Sequence, residues 1–318
     1  MGIVRVISKR PFALGLLCLI LVLLATLPLY AAEYTVILLT AILMYIAITV
    51  SWTIFSGPTR YISLASAAFF GVGIYTSAIL GKAFPLLAVI GIGGFISVIL
   101  ALFIGLLTLR LRGMYFIIFT FGISELMKNS LLWWETNRTG TVGRWVVAVD
   151  HTIVYYIMLA IFAGALLTAY LVRYSKLGLA LQSIGDNEEA AAHAGINVTL
   201  VKVITFAISA FFMGAAGAIM ATRWAYIDPR IAFNPLFSFM PVLMAIFGGM
   251  GQLYGPILGA AIFTYLEEIL ITKFAYYYML LFGIVLVIAI LYLPNGLAGL
   301  IQKWRKGGVA KQRTDTER

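Results

Sequence analysis

The residues that could do chemistry in this chain are few and far apart. It contains one cysteine, Cys18, and two isolated histidines, His151 and His193. No HExxH or CxxC pattern occurs, so the residue sets for a metal centre or an intramembrane enzyme are missing. The phosphate-binding pattern GxxxxGK(S/T) is also absent, so any ATP hydrolysis must come from another polypeptide. We therefore predict no catalytic residue, no metal ligand and no cofactor bound by this chain.

One polar stretch has the composition of a docking element. Residues 181–197 read LQSIGDNEEAAAHAGIN and interrupt an otherwise apolar sequence. Asp186 is predicted to cap a short helix together with Glu189, and Gly195 is predicted to end it. A helix of about two turns is marginal alone in water, so a partner must hold it. The functional interpretation is a coupling helix in a cleft of a cytoplasmic ATPase, and the alternative is a solvated loop between two helices.

The elements that flank this stretch are those of a membrane protein. Hydrophobic residues make up 63% of the chain, charged residues make up 11%, and the mean hydropathy is +1.03. The apolar runs are continuous rather than alternating, which predicts spanning helices and not a membrane barrel. We therefore predict an all-α polytopic membrane protein with about ten transmembrane helices. The predicted spans are residues 12–30, 34–55, 62–81, 85–109, 114–134, 152–173, 200–222, 234–249, 253–272 and 276–293.

Two of these spans are weakly defined. The run 62–81 is broken by two glycines, and the run 234–249 is short and contains two prolines. Either run can be interrupted or re-entrant, provided that protein or a water-filled cavity surrounds its backbone. If 234–249 and 253–272 only dip into the bilayer, about eight spans remain.

The distribution of charge predicts the orientation. Most of the 22 lysines and arginines fall on the side that holds both termini, so both termini are predicted to be cytoplasmic. The basic residues flank apolar runs, and the net charge of +10 therefore indicates contact with membrane lipid rather than with nucleic acid. The predicted organisation is a transmembrane domain over residues 1–300, with a cytoplasmic coupling segment at 178–199, and a cytoplasmic tail over 301–318.

Two further patterns concern residues at membrane depth. Gly251, Gly255 and Gly259 recur every four residues, a spacing that lets helix backbones approach closely in lipid. They favour either a helix interface near a translocation path or ordinary packing within the chain. Glu125 and Lys128 are three residues apart and can pair on one helix face. Charges in lipid usually face a cavity or a partner, so this pair has either a pathway role or a structural role near the interface.

Several sequence blocks resemble one family of transporters. Glu189-Ala190-Ala191, followed after three residues by Gly195, matches the start of the EAA motif of ABC-importer permeases, although the later Leu-Pro of that motif is absent. The stretch 178–221 resembles the equivalent part of branched-chain amino acid ABC transporter permeases, specifically the subunit usually called M. Further similar blocks, in the same order as in the family, are SLASAAFFGVGIY (63–75), LRLRGMYFIIFTFGISELMKN (109–129), FGGMGQLYGPILGAAIFTYLEEIL (247–270) and LPNGLAGL (293–300).

The resemblance implies an ABC-importer permease of the bacterial inner membrane that carries leucine, isoleucine and valine. Its implied partners are a second homologous permease, two cytoplasmic ATPase subunits that use ATP and Mg, and a periplasmic substrate-binding protein. The predicted coupling residues are Asp186, Asn187, Glu188, Glu189, Ala190, Ala191 and Gly195. The candidate residues of a path or helix interface are Ser63, Ser66, Glu125, Gly251, Gly255 and Gly259.

The chain also departs from the family pattern near the predicted third span. Residues 57–61 read GPTRY where relatives commonly carry Gly-Tyr-Ala-Gly-Gln, and Ala65-Ser66 stands where they carry Gly-His. These departures leave urea or short amides as alternative substrates. An ion-coupled secondary transporter is a further alternative, but such proteins usually have paired halves with interrupted helices, and no clear internal repeat is present.

Overall fold

The computed structural model describes residues 21–277 apart from 110 and 112, and residues 280–284, 287 and 296–299. These residues are mainly helical, which confirms the all-α prediction. The helices are α1 (Glu33–Thr59), α2 (Ser66–Leu80), α3 (Leu86–Thr108), α4 (Met114–Trp134), α5 (His151–Arg173), α6 (Lys176–Asp186), α7 (Glu188–His193), α8 (Val198–Met220), α9 (Pro229–Ala232), α10 (Leu236–Gly248) and α11 (Tyr254–Lys273). Two short antiparallel strands, β1 (Arg144–Trp145) and β2 (Tyr226–Ile227), pair with each other.

Six segments of the described residues are long and apolar enough to cross a membrane. They are Glu33–Thr59, Leu86–Thr108, His151–Arg173, Val198–Arg223, Pro229–Gly248 and Tyr254–Lys273. Helices lie over eight of the ten predicted spans. The other two, 12–30 and 276–293, lie partly outside the described residues, so the count of ten stays a prediction.

The central helix of the bundle is α8, which packs mainly against α3, α2 and α1. Small residues let it approach the neighbouring backbones closely. A Cβ atom added to Gly217 would overlap the carbonyl oxygen of Phe70 in α2, and one added to Gly73 would overlap the carbonyl oxygen of Gly214. Backbone atoms cannot turn aside as a flexible side chain can, so these glycines fix how closely α2 and α8 pack.

The second helix begins inside the protein and not at its surface. Residues 60–65, which we call the interrupted segment, are non-helical, and α2 has only 15 residues. At about 1.5 Å per residue this helix is too short to cross the whole hydrocarbon core. The predicted interruption of the run 62–81 at Gly71 and Gly73 is wrong, because both glycines lie within the continuous helix α2. The non-helical backbone lies instead before Ser66.

Side chains from distant helices satisfy the backbone of the interrupted segment. The Trp52 indole donates to the Ser63 carbonyl at 2.8 Å, and Thr120 Oγ1 accepts from the Leu64 amide at 3.0 Å. The hydroxyls of Ser124 and Ser238 donate to the Leu64 carbonyl. Non-helical backbone is tolerated at membrane depth only when protein or water supplies such partners.

The predicted span 234–249 is covered by one helix, α10, whose 13 residues include Pro241, so the suggested interruption of this run is not seen. The short α9 precedes it, outside the predicted span. Together they form a segment, Pro229–Gly248, that is long enough to cross. A tight turn then leads from α10 into α11, and these two helices pack against each other.

Candidate functional site

The polar stretch forms two helices where the sequence predicted one. The missed helix is α6, which buries Leu181 and Ile184 against the rest of the protein. Its apolar residues recur at helical spacing on one face, and this pattern could have predicted α6 from the sequence. Because α6 continues through Asp186, the predicted N-cap at that residue is wrong. Asn187 is the N-cap of α7, and its Oδ1 accepts from the amides of Glu189 and Ala190, both at 3.0 Å.

The end of α7 has the predicted glycine cap. Gly195 has a φ of +85°, a left-handed conformation that glycine adopts without steric cost. Its amide donates to the Ala192 carbonyl at 3.0 Å, and the Ile196 amide donates to the Ala191 carbonyl at 3.1 Å. This pair of bonds is a Schellman motif. The role predicted for Gly195 in ending the helix is therefore confirmed.

The first residue of α7 is tied to the membrane domain by an ion pair that the sequence analysis missed. Lys202, in the first turns of α8, is fully buried, and its Nζ lies 2.8 Å from Glu188 Oε2. The Tyr61 hydroxyl donates to the same carboxylate oxygen at 2.5 Å, and Lys202 Nζ lies 4.0 Å from the centre of the Tyr61 ring. We call Glu188, Lys202 and Tyr61 the anchor cluster. The sequence feature that could have indicated this cluster is Lys202, a single lysine inside an apolar run.

The anchor cluster connects three elements. Glu188 belongs to α7, Lys202 to α8 and Tyr61 to the interrupted segment that leads into α2. A buried ammonium needs a paired carboxylate or similar partners, so α7 cannot leave this position without exposing or stranding the charge of Lys202. The cluster therefore joins the polar helix mechanically to two helices of the bundle.

Most of α7 and its C-terminal turn is exposed. Among residues 189–194, only Ala191 is buried, at 3% exposure. Ala190 and Ala194 point outward, so they do not share one buried face with Ala191. The exposed surface combines small side chains with Glu189 and His193. Such a surface lets another protein approach the helix closely.

A cleft of about 480 Å³ lies beside α6, between that helix, the ends of α1 and α5 and the turn after α10. Asp186 lies on its rim and pairs with Arg60 at 2.8 Å. Gly251 also lines the cleft, and its carbonyl accepts from Arg173 Nη2 at 2.7 Å. The structure thus brings together Asp186 and Gly251, which the sequence assigned to different roles.

The remaining candidate path residues are placed in three regions. Ser63 and Ser66 are buried in and beside the interrupted segment, where Ser63 Oγ accepts from the Ala65 amide at 3.3 Å. Gly255 and Gly259 pack against the backbone at the end of α10. Glu125 lies on α4, and its carboxylate is 2.7 Å from Lys128 Nζ. No group of three metal-ligating side chains forms in the part of the chain that the structure describes.

The opposite end of the bundle carries a buried carboxylate that the sequence analysis did not single out. Glu135, at 2% exposure, accepts from the Gly143 amide at 2.8 Å and from the Tyr75 hydroxyl at 3.3 Å, and Arg144 Nε lies 3.5 Å away. These contacts connect the C-terminal part of α2 to the loop before β1. Both ends of α2 are therefore held by buried polar groups.

Comparison with known proteins gives the family. The model for the permease component of branched-chain amino acid transport systems matches residues 34–290. The chain is 27% identical to the high-affinity branched-chain amino acid transport system permease protein LivM of Escherichia coli K12, over 92% of this chain and 77% of that protein. It is 26% identical to LivM of Salmonella typhimurium, over 89% of this chain and 75% of the relative.

A further similarity covers a shorter part of the chain. The ribose import permease protein RbsC of Haemophilus influenzae is 30% identical over 43% of each chain. No solved structure matches the chain at a significant level. The family model covers most of the sequence, including α1 to α11 apart from one residue at the start of α1. The chain therefore belongs to the branched-chain amino acid ABC transporter permease family and is a multi-pass permease of the inner membrane.

Proposed function

We propose that this chain is one of the two permease subunits of a bacterial ABC importer for leucine, isoleucine and valine. Two cytoplasmic ATPase subunits hydrolyse ATP, and a periplasmic binding protein delivers the substrate. The observation that carries the proposal is α7, an exposed short helix whose first residue is anchored to the fully buried Lys202. Family membership and the named function of the LivM relatives support the choice of substrate.

The anchor cluster gives a route for mechanical work. Motion of an ATPase displaces α7, and Glu188 carries that displacement to Lys202 in α8 and to Tyr61 in the interrupted segment. The close backbone contacts between α8 and α2 pass it into the membrane domain. ATP and substrate then shift the balance between inward-open and outward-open states through their different affinities for them.

The orientation follows from the charge distribution. The end that holds α7 faces the cytoplasm, together with both termini. The opposite end, with β1, β2 and the Glu135 contacts, faces the periplasm. There Trp145 is 68% exposed and offers an aromatic surface to the binding protein, since aromatic side chains are enriched in protein interfaces.

The experiment that tests this proposal replaces Glu189 and Gly195 together by alanine. We expect the complex in proteoliposomes to lose substrate-stimulated ATP hydrolysis while the permease remains inserted. Glu189 lies on the exposed face of α7, and alanine at the left-handed position of Gly195 costs about 1 kcal/mol, which disturbs the end of the helix.

The matched control is Lys273→Ala. It removes an exposed charge at the C-terminal end of α11. In that variant the substrate should stimulate ATP hydrolysis as strongly as in the wild type. Normal stimulation in the double variant would count against the role of α7. Uptake of leucine, measured beside uptake of urea, distinguishes the proposed substrate from the alternative one.

A further inference from the structure

A single residue joins α6 to α7 and is hydrogen-bonded to both helices. Asn187 follows the last residue of α6 and precedes the first residue of α7. Its amide donates to the Ser183 carbonyl in the last turn of α6 at 3.0 Å. Its Oδ1 accepts from the amides of the second and third residues of α7, Glu189 and Ala190. These bonds fix the angle between the two helices, so a displacement of α7 also displaces α6.

The C-terminal end of α6 packs directly against the backbone of α1. A Cβ atom added to Gly185 would overlap the carbonyl oxygen of Pro58 and would lie 3.2 Å from the carbonyl carbon of Thr59. Pro58 and Thr59 are the last two residues of α1. Leu181 and Ile184, one turn and one residue before Gly185, are buried at 0% and 3% exposure. Closely packed atoms transmit strain, and no flexible side chain lies between these two backbones to absorb it. A shift of α6 is therefore passed to the end of α1.

The N-terminal end of α6 is held by the end of α5. Only Tyr174 and Ser175 separate the two helices. The Ser175 hydroxyl donates to the Val172 carbonyl at 2.8 Å and accepts from the Gly178 amide at 3.4 Å. A Cβ atom at Gly178 would lie 2.6 Å from the carbonyl oxygen of Arg173. The turn is tight, so α6 is held at both of its ends, by α5 at the first and by α1 at the second.

Beyond this contact, α1 leads to the last two described helices of the bundle. It packs against α5, α8, α10 and α11. Among the described helices, α11 packs extensively only against α1 and α10. The anchor cluster joins α7 to α8 and to the interrupted segment before α2. The contact between α6 and α1 is thus a route from α7 to α10 and α11 that does not pass through the anchor cluster.

We propose that α6 is a second coupling element and that Gly185 is its positioning residue. An ATPase subunit that displaces α7 moves α6 through Asn187, and the backbone contact at Gly185 carries this movement into the cytoplasmic end of α1. The end of α1 and α6 move as one body, and α1 passes the movement to α10 and α11. The anchor cluster acts in parallel on α8 and α2. This inference rests on the proposed function, which supplies the ATPase.

The first test enlarges the contact residue. Gly185→Ala forces α6 away from Pro58, and we expect the amount of leucine transported per ATP hydrolysed in proteoliposomes to fall at least fivefold. ATP hydrolysis and co-purification of the ATPase subunits should continue, because α7 and the anchor cluster are unchanged. The matched control is Gly91→Ala, the same substitution at a position where a Cβ atom would meet no atom within 4 Å. It should keep the wild-type ratio.

Two results of this test would overturn the inference. One is an unchanged ratio of leucine to ATP in Gly185→Ala. The other is loss of the ATPase subunits from the purified complex, because Gly185 would then only hold α7 in place for binding. Both leave the proposed function intact, whereas absence of leucine uptake by the wild-type complex contradicts the proposed function itself.

A cross-link between α6 and α1 tests the same contact without enlarging Gly185. Arg60→Cys and Asp186→Cys, made with Cys18→Ala, replace two exposed side chains whose charged atoms lie 2.8 Å apart, and a short bis-thiosulfonate reagent joins them. Because α6 and the end of α1 move as one body, the cross-linked complex should keep at least half of the leucine uptake of the same protein before cross-linking. Loss of uptake that a reductant restores would show that α6 slides along α1 and would overturn the inference. This result is decisive even if Gly185→Ala fails to assemble.

Discussion

Replacing Glu188 by alanine is expected to destabilise the permease by about 3 kcal/mol and to uncouple ATP hydrolysis from transport. The variant removes the carboxylate that lies 2.8 Å from Nζ of the fully buried Lys202. Removing one member of a buried ion pair is costly because the other charge remains desolvated. We place the effect at the lower end of the usual range because the Glu188 side chain is 21% exposed. Thermal unfolding of the purified complex and the ratio of ATP hydrolysed to leucine transported measure the two effects.

A neighbouring ion pair provides the control. Asp186→Ala removes the pair with Arg60, whose two side chains are 72% and 71% exposed, so its cost should stay below about 1 kcal/mol. The double variant Glu188→Ala with Lys202→Met should recover most of the lost stability, because no charge is left buried. It should not recover coupling, because α7 is no longer joined to α8. Recovery of both would reduce the anchor cluster to a purely structural role.

Replacing Gly73 by valine is expected to prevent α2 from packing against α8. Its Cβ would overlap the carbonyl oxygen of Gly214, and the amide of Ala218 also lies within contact distance. Neither backbone atom can yield unless the helices separate, so the cost should reach at least about 3 kcal/mol, the upper end of the range for overpacked cores. Size-exclusion chromatography of the detergent-extracted permease should show aggregation in place of a single sharp peak.

The control for this prediction is Gly91→Ala in α3. A Cβ atom at that position would meet no atom within 4 Å, and alanine has the higher helix propensity. We expect the wild-type elution profile. A sharp peak for the Gly73 variant as well would contradict the close contact between α2 and α8.

Six of the ten predicted spans coincide with segments that are long and apolar enough to cross a membrane, because each of these depends on a local apolar run. The sequence could not locate the start of α2, because the partners of the interrupted segment are side chains of other helices, at sequence separations of 11 to 174 residues. Trp52, Thr120 and Ser238 come from three different helices. Trp52 and Thr120 each satisfy one backbone group of residues 63–67, and Ser238 satisfies two. A break that distant side chains stabilise has no local pattern of its own.

The sequence predicted those parts of the candidate site that depend on local features and missed those that depend on tertiary contacts. The glycine cap of α7 is a local feature, and Gly195 could be identified from its position after an alanine-rich run. The N-cap was misplaced because the burial of Leu181 and Ile184, which extends α6 to Asp186, is a tertiary effect. The partners of Glu188 lie 14 and 127 positions away, at Lys202 and Tyr61, so no local spacing could reveal the anchor cluster.

Photo-crosslinking from α7 tests most directly whether an ATPase subunit binds this helix. His193→Cys, made with Cys18→Ala and carrying a benzophenone maleimide, places the probe on the exposed face of α7. Trp145→Cys in β1, at the other end of the bundle, is the matched position. We predict an adduct between the ATPase subunit and position 193, and none from position 145. An ATPase adduct from position 145, or none from position 193 in a complex that hydrolyses ATP, would contradict this account.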